Sequence, residues 1–145
     1  MADTYMKRAY NIMLGYNRPT FAHYPLFTGA TMTVGIVTTP GAGVWGALID
    51  VIAAAAITTE FWLMETVITA AASAFGVREL RIVNTSITTC VYQLRIQVTA
   101  ATPNLSPIPM AIPIRCNPNA NIQGQSIATN AADTTSISLL VATGL

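Results

Sequence analysis

Val91-Tyr92-Gln93-Leu94-Arg95-Ile96-Gln97-Val98 alternates without a break. Tyr92, Leu94, Ile96 and Val98 fall on one side of an extended chain, and Gln93, Arg95 and Gln97 on the other. A period of two is the signature of a β-strand, whose successive side chains point to opposite faces. The stretch reads as a half-buried strand with one wet face. That face is made of amides with a single charge, which is a first sign of how this chain builds its exterior.

The same reading extends in both directions. Toward the C-terminus, Ala101 to Pro113 holds Pro103, Pro107, Pro109 and Pro113. Proline removes ladder donors, so this is a long loop leading into an edge or short strand, Met110 to Cys116. Pro118 to Asn121 reads as a turn, Ile122 to Ala128 as a strand, and Ala131-Ala132-Asp133 as a hairpin-like connection. Thr135 to Ala142 closes the chain, with Ile137, Leu139 and Val141 alternating against Ser136, Ser138 and Leu140. Toward the N-terminus, Thr59 to Thr69 places Phe61, Leu63 and Val67 on one face. Glu60, Trp62, Met64, Thr66 and Ile68 take the other. The flanking alanines, Ala53 to Ala56 and Ala70 to Ala74, favour helix. The β-branched and aromatic residues between them favour strand, which is the expectation adopted. Val44 to Ala54 is a further run, set off by Pro40-Gly41-Ala42-Gly43. Met32, Val34 and Ile36 alternate with Thr31, Thr33 and Gly35.

Residues 1–29 show no clean period. They hold Tyr5, Tyr10, Tyr16, Phe21, Tyr24 and Phe27 together with Lys7, Arg8 and Arg18. We read them as an extended arm whose aromatics pack on the same subunit or reach a neighbour, since Tyr and Phe are enriched where surfaces meet. The remainder, 30–145, is expected to be a single all-β domain of about 7–8 strands, a sandwich or barrel.

Composition bounds the function. The chain of 145 residues is 52% hydrophobic but only 9% charged, against about 25% charged in a typical soluble domain. Its surface must therefore be built from Thr, Ser, Asn, Gln and Ala, or be covered by partners. Disorder is excluded, because disordered chains are poor in apolar residues and rich in charge. A formal net charge of +1 with no basic run gives little counterion release and argues against nucleic-acid binding. Lys7, Arg8 and Arg18 are read as a solvated or docking group. No apolar signal-peptide core follows the early charges, because Asn11, Asn17, Arg18, Pro19 and His23 interrupt it. Gly41 to Thr59 is apolar enough to suggest a membrane span, and mean hydropathy is +0.51. Asp50 near its middle would cost roughly 2.5–3.5 kcal/mol in a bilayer, so a core strand is the preferred reading and no membrane partner is expected.

The chemistry-bearing residues form no catalytic pattern. Cys90 and Cys116 make no CxxC, and His23 is the lone histidine, so no metal site is expected. Both cysteines sit in apolar runs and are expected to be small buried hydrophobes. A disulfide between neighbouring strands stays open, because sequence does not give the geometry. The acids Asp3, Asp50, Glu60, Glu65, Glu79 and Asp133 are expected to pair with Arg78, Arg81, Arg95 or Arg115. A carboxylate pair across a cleft is the enzymatic alternative. Gly41-Ala42-Gly43 lacks the Lys-Ser/Thr of a phosphate loop. Trp45 and Trp62 are expected to anchor core or interface; a sugar-stacking platform is the other use of two such rings. No catalytic residue and no cofactor is expected, and the chain is read as a non-enzyme.

The second half carries a resemblance. An aromatic strand, Glu60-Phe61-Trp62-Leu63-Met64, precedes the proline-rich stretch. Ile108-Pro109-Met110-Ala111-Ile112-Pro113-Ile114-Arg115 then leads to the turn Asn117-Pro118-Asn119-Ala120-Asn121-Ile122. Ala132-Asp133-Thr134 precedes the last alternating strand and Gly144-Leu145. Over roughly 30–145 this order resembles small virion structural proteins of tailed phages, whose jelly-roll-like β-sandwich trimerises on heads or tails. The resemblance implies a single jelly-roll-like sandwich. It also implies a cement, decoration or spike-base role on the outer surface of a capsid or tail. The partners would be its own copies, as a homotrimer, and the major capsid or other virion proteins. A tail-associated receptor- or glycan-binding module is the alternative. The pattern departs where Gly and Arg are usual: Ala120 and Asn121 occupy the turn, and Gln125 stands where another Arg is common. Contacts made by those arginines in relatives would here fall to amides. The expected interface residues are Tyr5, Tyr10, Tyr16, Phe21, Tyr24, Phe27, Trp45, Trp62, Asn121 and Gln125.

Overall fold

Ten strands form among residues 18–26, 35–71, 76–98 and 107–145, which are those described by the structure, a computed structural model. They are β1 (Thr20–Tyr24), β2 (Ile36–Thr38), β3 (Gly41–Ala42), β4 (Ile49–Ile52), β5 (Phe61–Ala71), β6 (Gly76–Asn84), β7 (Thr89–Val98), β8 (Ile108–Cys116), β9 (Ile122–Ala128) and β10 (Thr135–Thr143). None of the described residues is helical. The all-β expectation holds, and the count exceeds seven or eight because short edge pieces add to it.

The strands make two five-stranded sheets. The first runs β1-β10-β5-β8, with β2 also on β10; the second runs β3-β9-β6-β7, with β4 also on β9. The pairing is nested. β6 joins β7, β5 joins β8, β4 joins β9, and β1 and β2 join β10, all antiparallel. Rolling that long ribbon brings β10 against β5 and β9 against β6. This is jelly-roll topology, two Greek keys wound into one sandwich. β1 and β2 share one edge of β10 end to end, and β3 and β4 divide the free edge of β9.

The core lies where the two inner faces meet. Phe61, Leu63, Ile68, Ile137, Leu139 and Val141 come from the first sheet, and Leu80, Ile82, Ile96, Val98 and Ile122 from the second. β9 turns only small residues inward beyond Ile122, at Gly124, Ser126 and Ala128. The gap is filled by Ile137 from across the layer and by Val51 of neighbouring β4: a Cβ on Gly124 would lie 3.3 Å from Ile137 Cδ1 and 3.4 Å from Val51 Cγ2. Large on one sheet against small on the other is how facing layers reach interior packing density.

The structure corrects several local expectations. On β5, Phe61 and Leu63 face inward, but so do Thr66 and Ile68, while Val67 faces out. The register with both β8 and β10 slips at Met64. One inserted residue switches the face of everything beyond it. A second slip against β10 sets Ala71 inward rather than Ala70. Of the run Val44 to Ala54, only Ile49–Ile52 is a strand. Ala54 and Ala55 form a turn, with Ala55 at φ 63°. Ala131-Ala132-Asp133 is no hairpin, since it carries the chain from β9 in one sheet to β10 in the other. The proline-rich expectation holds for its described part: β8 is an edge strand, and Pro109 and Pro113 lie in it. Of the expected arm, 18–26 are described, and Thr20–Tyr24 within it is hydrogen-bonded along β10 from Thr143 to Leu139. Met32 and Val34 lie outside the described residues.

Candidate interaction surfaces

The outer face of the second sheet is a grid of amides crossed by one ion pair. Register places Arg95, Glu79 and Ile127 in one row, Gln93, Arg81 and Gln125 in the next, and Val83 with Gln123 and Asp50 in a third. Glu79 holds Arg95 in a salt bridge and accepts a 3.1 Å hydrogen bond from Gln93 Nε2. Asp50 accepts from Gln123 Nε2 at 2.6 Å and from Asn121 Nδ2 at 3.1 Å. Gln125 Nε2 donates to the Gly46 carbonyl at 2.9 Å, and Gly46 N donates to Ser126 O at 2.9 Å. These two bonds fix the 45–48 loop on β9, and the loop sets Trp45 against Arg81, whose guanidinium carbon lies 3.8 Å from the ring centroid. Beside the ion pair is a shallow depression of about 470 Å³ with Val77, Ile127, Ala42 and Ala128 in its walls. Val77 and nearby Val44 are exposed. Apolar walls around a mutually neutralised ion pair suit burial against another surface. Among the described residues, no group of three His, Cys, Asp or Glu could hold a metal ion.

The first sheet presents a different face. Phe21, Ala142, Trp62 and Arg115 form one row across β1, β10, β5 and β8; His23, Leu140, Glu65 and Pro109 form another. Phe21 is 55% exposed, whereas Ala142 beside it is fully buried. Arg115 is bridged to Glu60. At the β8 edge, Ile112 is 79% exposed. It sits where four residues of β8, Met110 to Pro113, pass a single residue of β5 between the paired positions Ile114↔Leu63 and Pro109↔Glu65.

Among the expected interface residues, Phe21 is exposed and Tyr24 is half-buried with its ring packed on the core. Trp45 and Trp62 are half-buried on opposite outer faces and do not form one platform. Asn121 and Gln125 spend their amide donors inside the subunit, on Asp50 and Gly46. Tyr5, Tyr10, Tyr16 and Phe27 lie outside the described residues. The expectation that acids pair with arginines holds for Glu60 and Glu79, and the Asp133 carboxylate acts electrostatically on Arg78. It is corrected for Asp50 and Glu65, and Asp3 lies outside the described residues. Asp50 is held by amides, and Glu65 makes no hydrogen bond or ion pair among the described residues.

Sequence reasoning gave Arg78 only a pairing with an acid and did not foresee its burial. It is 1% exposed and points into the sandwich from β6, on the side of Leu80 and Ile82. Its Nη1 donates to Thr134 O at 2.7 Å and to Thr135 Oγ1 at 3.2 Å. Burial holds its pKa below the usual arginine value, and the nearby Asp133 carboxylate pulls it back up. Arg78 remains charged at neutral pH and ties the second sheet to the start of β10 in the first.

The cysteines are free, and Cys90 is exposed, not buried. The register between β6 and β7 slips at Val91, pairing Ile82 with Tyr92 but Val83 with Cys90. That bulge turns Cys90 to the outer side, away from the face of Tyr92 and Leu94. Cys116 is buried, and burial pushes its thiol up to about 11 from 9.0. Thiol labelling of the native chain at pH 8 is expected to modify Cys90 and spare Cys116, which should react only on unfolding. Equal rates would contradict the burial. Because the folded state favours the protonated thiol, the stability it contributes is complete below pH 9 and is lost as pH rises through about 11.

Topology and surface together define a class: an all-β jelly-roll sandwich with a weakly charged, amide-rich exterior. No family model and no curated protein matches the sequence. Among solved structures, the chain is similar to that of the infectious bursal disease virus VP2 subviral particle. Identity is 17% and the TM-score is 0.40, over 88% of this chain and 33% of that one. The chain thus spans about a third of the length of that protein. That degree of likeness assigns neither a family nor a role.

Proposed function

We propose that this chain is a non-enzymatic virion structural protein that decorates or stabilises a capsid through subunit contacts, acting as a homotrimer on the outer surface of a head or tail. The observation that carries this reading is the exterior. Phe21, Val37, Val44, Val77, Ile87 and Ile112 are each about half exposed or more. Four of the arginines are taken up by the subunit itself: Arg95 and Arg115 in ion pairs, Arg81 against Trp45 and Arg78 in hydrogen bonds to Thr134 and Thr135. Such a surface is suited to burial against sister subunits and a shell, at roughly 25 cal/mol per Å² of apolar area less the ordering cost of association.

In this reading residues 1–17 are the arm. We take that part of the expected 1–29 arm because Thr20–Tyr24 pairs with β10. Fully extended, a segment of that length would span roughly 56–61 Å, enough to reach an adjacent subunit. Deleting 1–17 is expected to leave the unfolding transition of the sandwich in place while weakening attachment to particles, measured by co-sedimentation and electron cryomicroscopy of decorated shells. Normal decoration by the truncated chain would remove the arm from the mechanism. A full-length chain that binds no particle would remove the virion role itself.

A further inference from the structure

A jelly roll exposes four sheet edges, and three of them here are blocked. β8 carries Pro109 and Pro113 and leaves its ladder for four residues. The β10 edge is divided between β1 and β2, and the β9 edge between two-residue β3 and four-residue β4. Prolines, bulges and short strands are the devices that keep edges from pairing with other chains. β7 has none of them beyond its bulge at Val91: its ten residues hold no Pro or Gly, and among the described residues it pairs on one side only, with β6. Its inward side chains show the same opening. Tyr92 and Leu94 pack on the core but are only partly buried, whereas Ile96 and Val98 are buried.

We propose that the free edge of β7 is a self-association site that takes β7 of a second copy, antiparallel, about a two-fold axis at Leu94. The same-chain partner must be β7 itself, because the other edges are blocked, and an isologous contact is the simplest closed arrangement. Opposed residues of an antiparallel pair share a face, so the axis falls on a residue. An axis at Arg95 would set that guanidinium against its own copy, and like charges directly opposite are unfavourable. An axis at Leu94 sets Arg95 against Gln93 of the second copy on the wet face. On the inner side it sets Tyr92 against Ile96 and Leu94 against Leu94, covering what remains open of the partly buried apolar residues. The contact lies on the regular part of the strand, beyond the bulge at Val91. It does not depend on the virion reading, since a free edge of this kind pairs whatever the chain decorates.

The register makes the test two-sided. Gln93 is exposed and donates to Glu79. Gln93→Glu gives up that bond and Gln93→Lys turns it into an ion pair, both at the solvated surface. Each variant is therefore expected to stay folded, and its own unfolding transition checks this before association is read. In the pairing about Leu94, Gln93→Glu places a carboxylate opposite Arg95 of the second copy, twice by symmetry, and Gln93→Lys places an ammonium there. Sedimentation of the full chain over a range of concentrations reads the midpoint at which its smallest species doubles in mass. Gln93→Glu is expected to lower that midpoint by roughly 2- to 30-fold and Gln93→Lys to raise it by a similar factor. A chain that never doubles, a midpoint that neither substitution moves, or one that both raise would each overturn the proposal. None of those results bears on the virion reading, which is tested by particle binding.

Discussion

Arg78→Ala is expected to lower folding stability by roughly 3–5 kcal/mol, the usual cost of removing one partner from a buried charge pair. Thr135 Oγ1 loses a 3.2 Å donor, and two further groups are left worse placed. The Thr134 carbonyl, which now accepts a 2.7 Å bond, is left without its donor. Asp133, 5% exposed and electrostatically coupled to the guanidinium, is left as an uncompensated carboxylate at the link between β9 and β10. A chain of this length should show a fall in melting temperature on the order of 10 °C. Arg78→Met combined with Asp133→Asn should recover much of the loss, because replacing both members by neutral groups of similar volume removes the stranded charge. Urea unfolding of the two singles and the double measures the coupling directly. A loss under about 1 kcal/mol for Arg78→Ala would mean that the inter-sheet tie contributes little.

Phe61→Ala is expected to cost roughly 3–5 kcal/mol through lost burial and the cavity left behind. Phe61 is fully buried at the start of β5, in register with Thr143 and Cys116, so neighbours on both sides hold the space open. Phe21, one row away on the outer face of the same sheet, is the matched comparison. At 55% exposure, its replacement by Ala should change the stability of the isolated subunit by about 0.5 kcal/mol or less. Chemical denaturation of both variants checks the contrast. Comparable losses would mean that Phe21 is covered in the isolated subunit, and its place on an open outer face would have to be given up.

Strands with one wet face were legible wherever alternation ran unbroken. Tyr92, Leu94, Ile96 and Val98 point inward on β7, and Ile137, Leu139 and Val141 on β10, as their period of two requires. The bulges were not legible. Nothing in Phe61–Ala71 marks Met64 as an extra residue: no Gly or Pro stands there, and the slip exists only in relation to β8 and β10. The same holds for Val91, and through it for the exposure of Cys90. Arg78 was hidden for a related reason. On a strand that otherwise alternates it occupies an inward position, and only the arrival of Thr134, Thr135 and Asp133 from the other end of the chain makes a charge tolerable there. The interaction surfaces were visible as composition, few charges and many amides, but not as places. Which amides stay available depends on the loop that carries Gly46 and Trp45 back over β9.

The nested pairing of the strands also dictates an order of folding. β6 and β7 meet across the four-residue turn Thr85–Thr88 and can close locally, whereas β1 finds its partner more than a hundred residues along the chain. Contacts that distant slow a two-state search, because the loop entropy is lost before the contact is gained. During synthesis, β1, β2 and β5 have no shared neighbour until Thr135–Thr143 leaves the ribosome. The first sheet is therefore assembled only once β10 has been made, and until then its apolar faces wait uncovered.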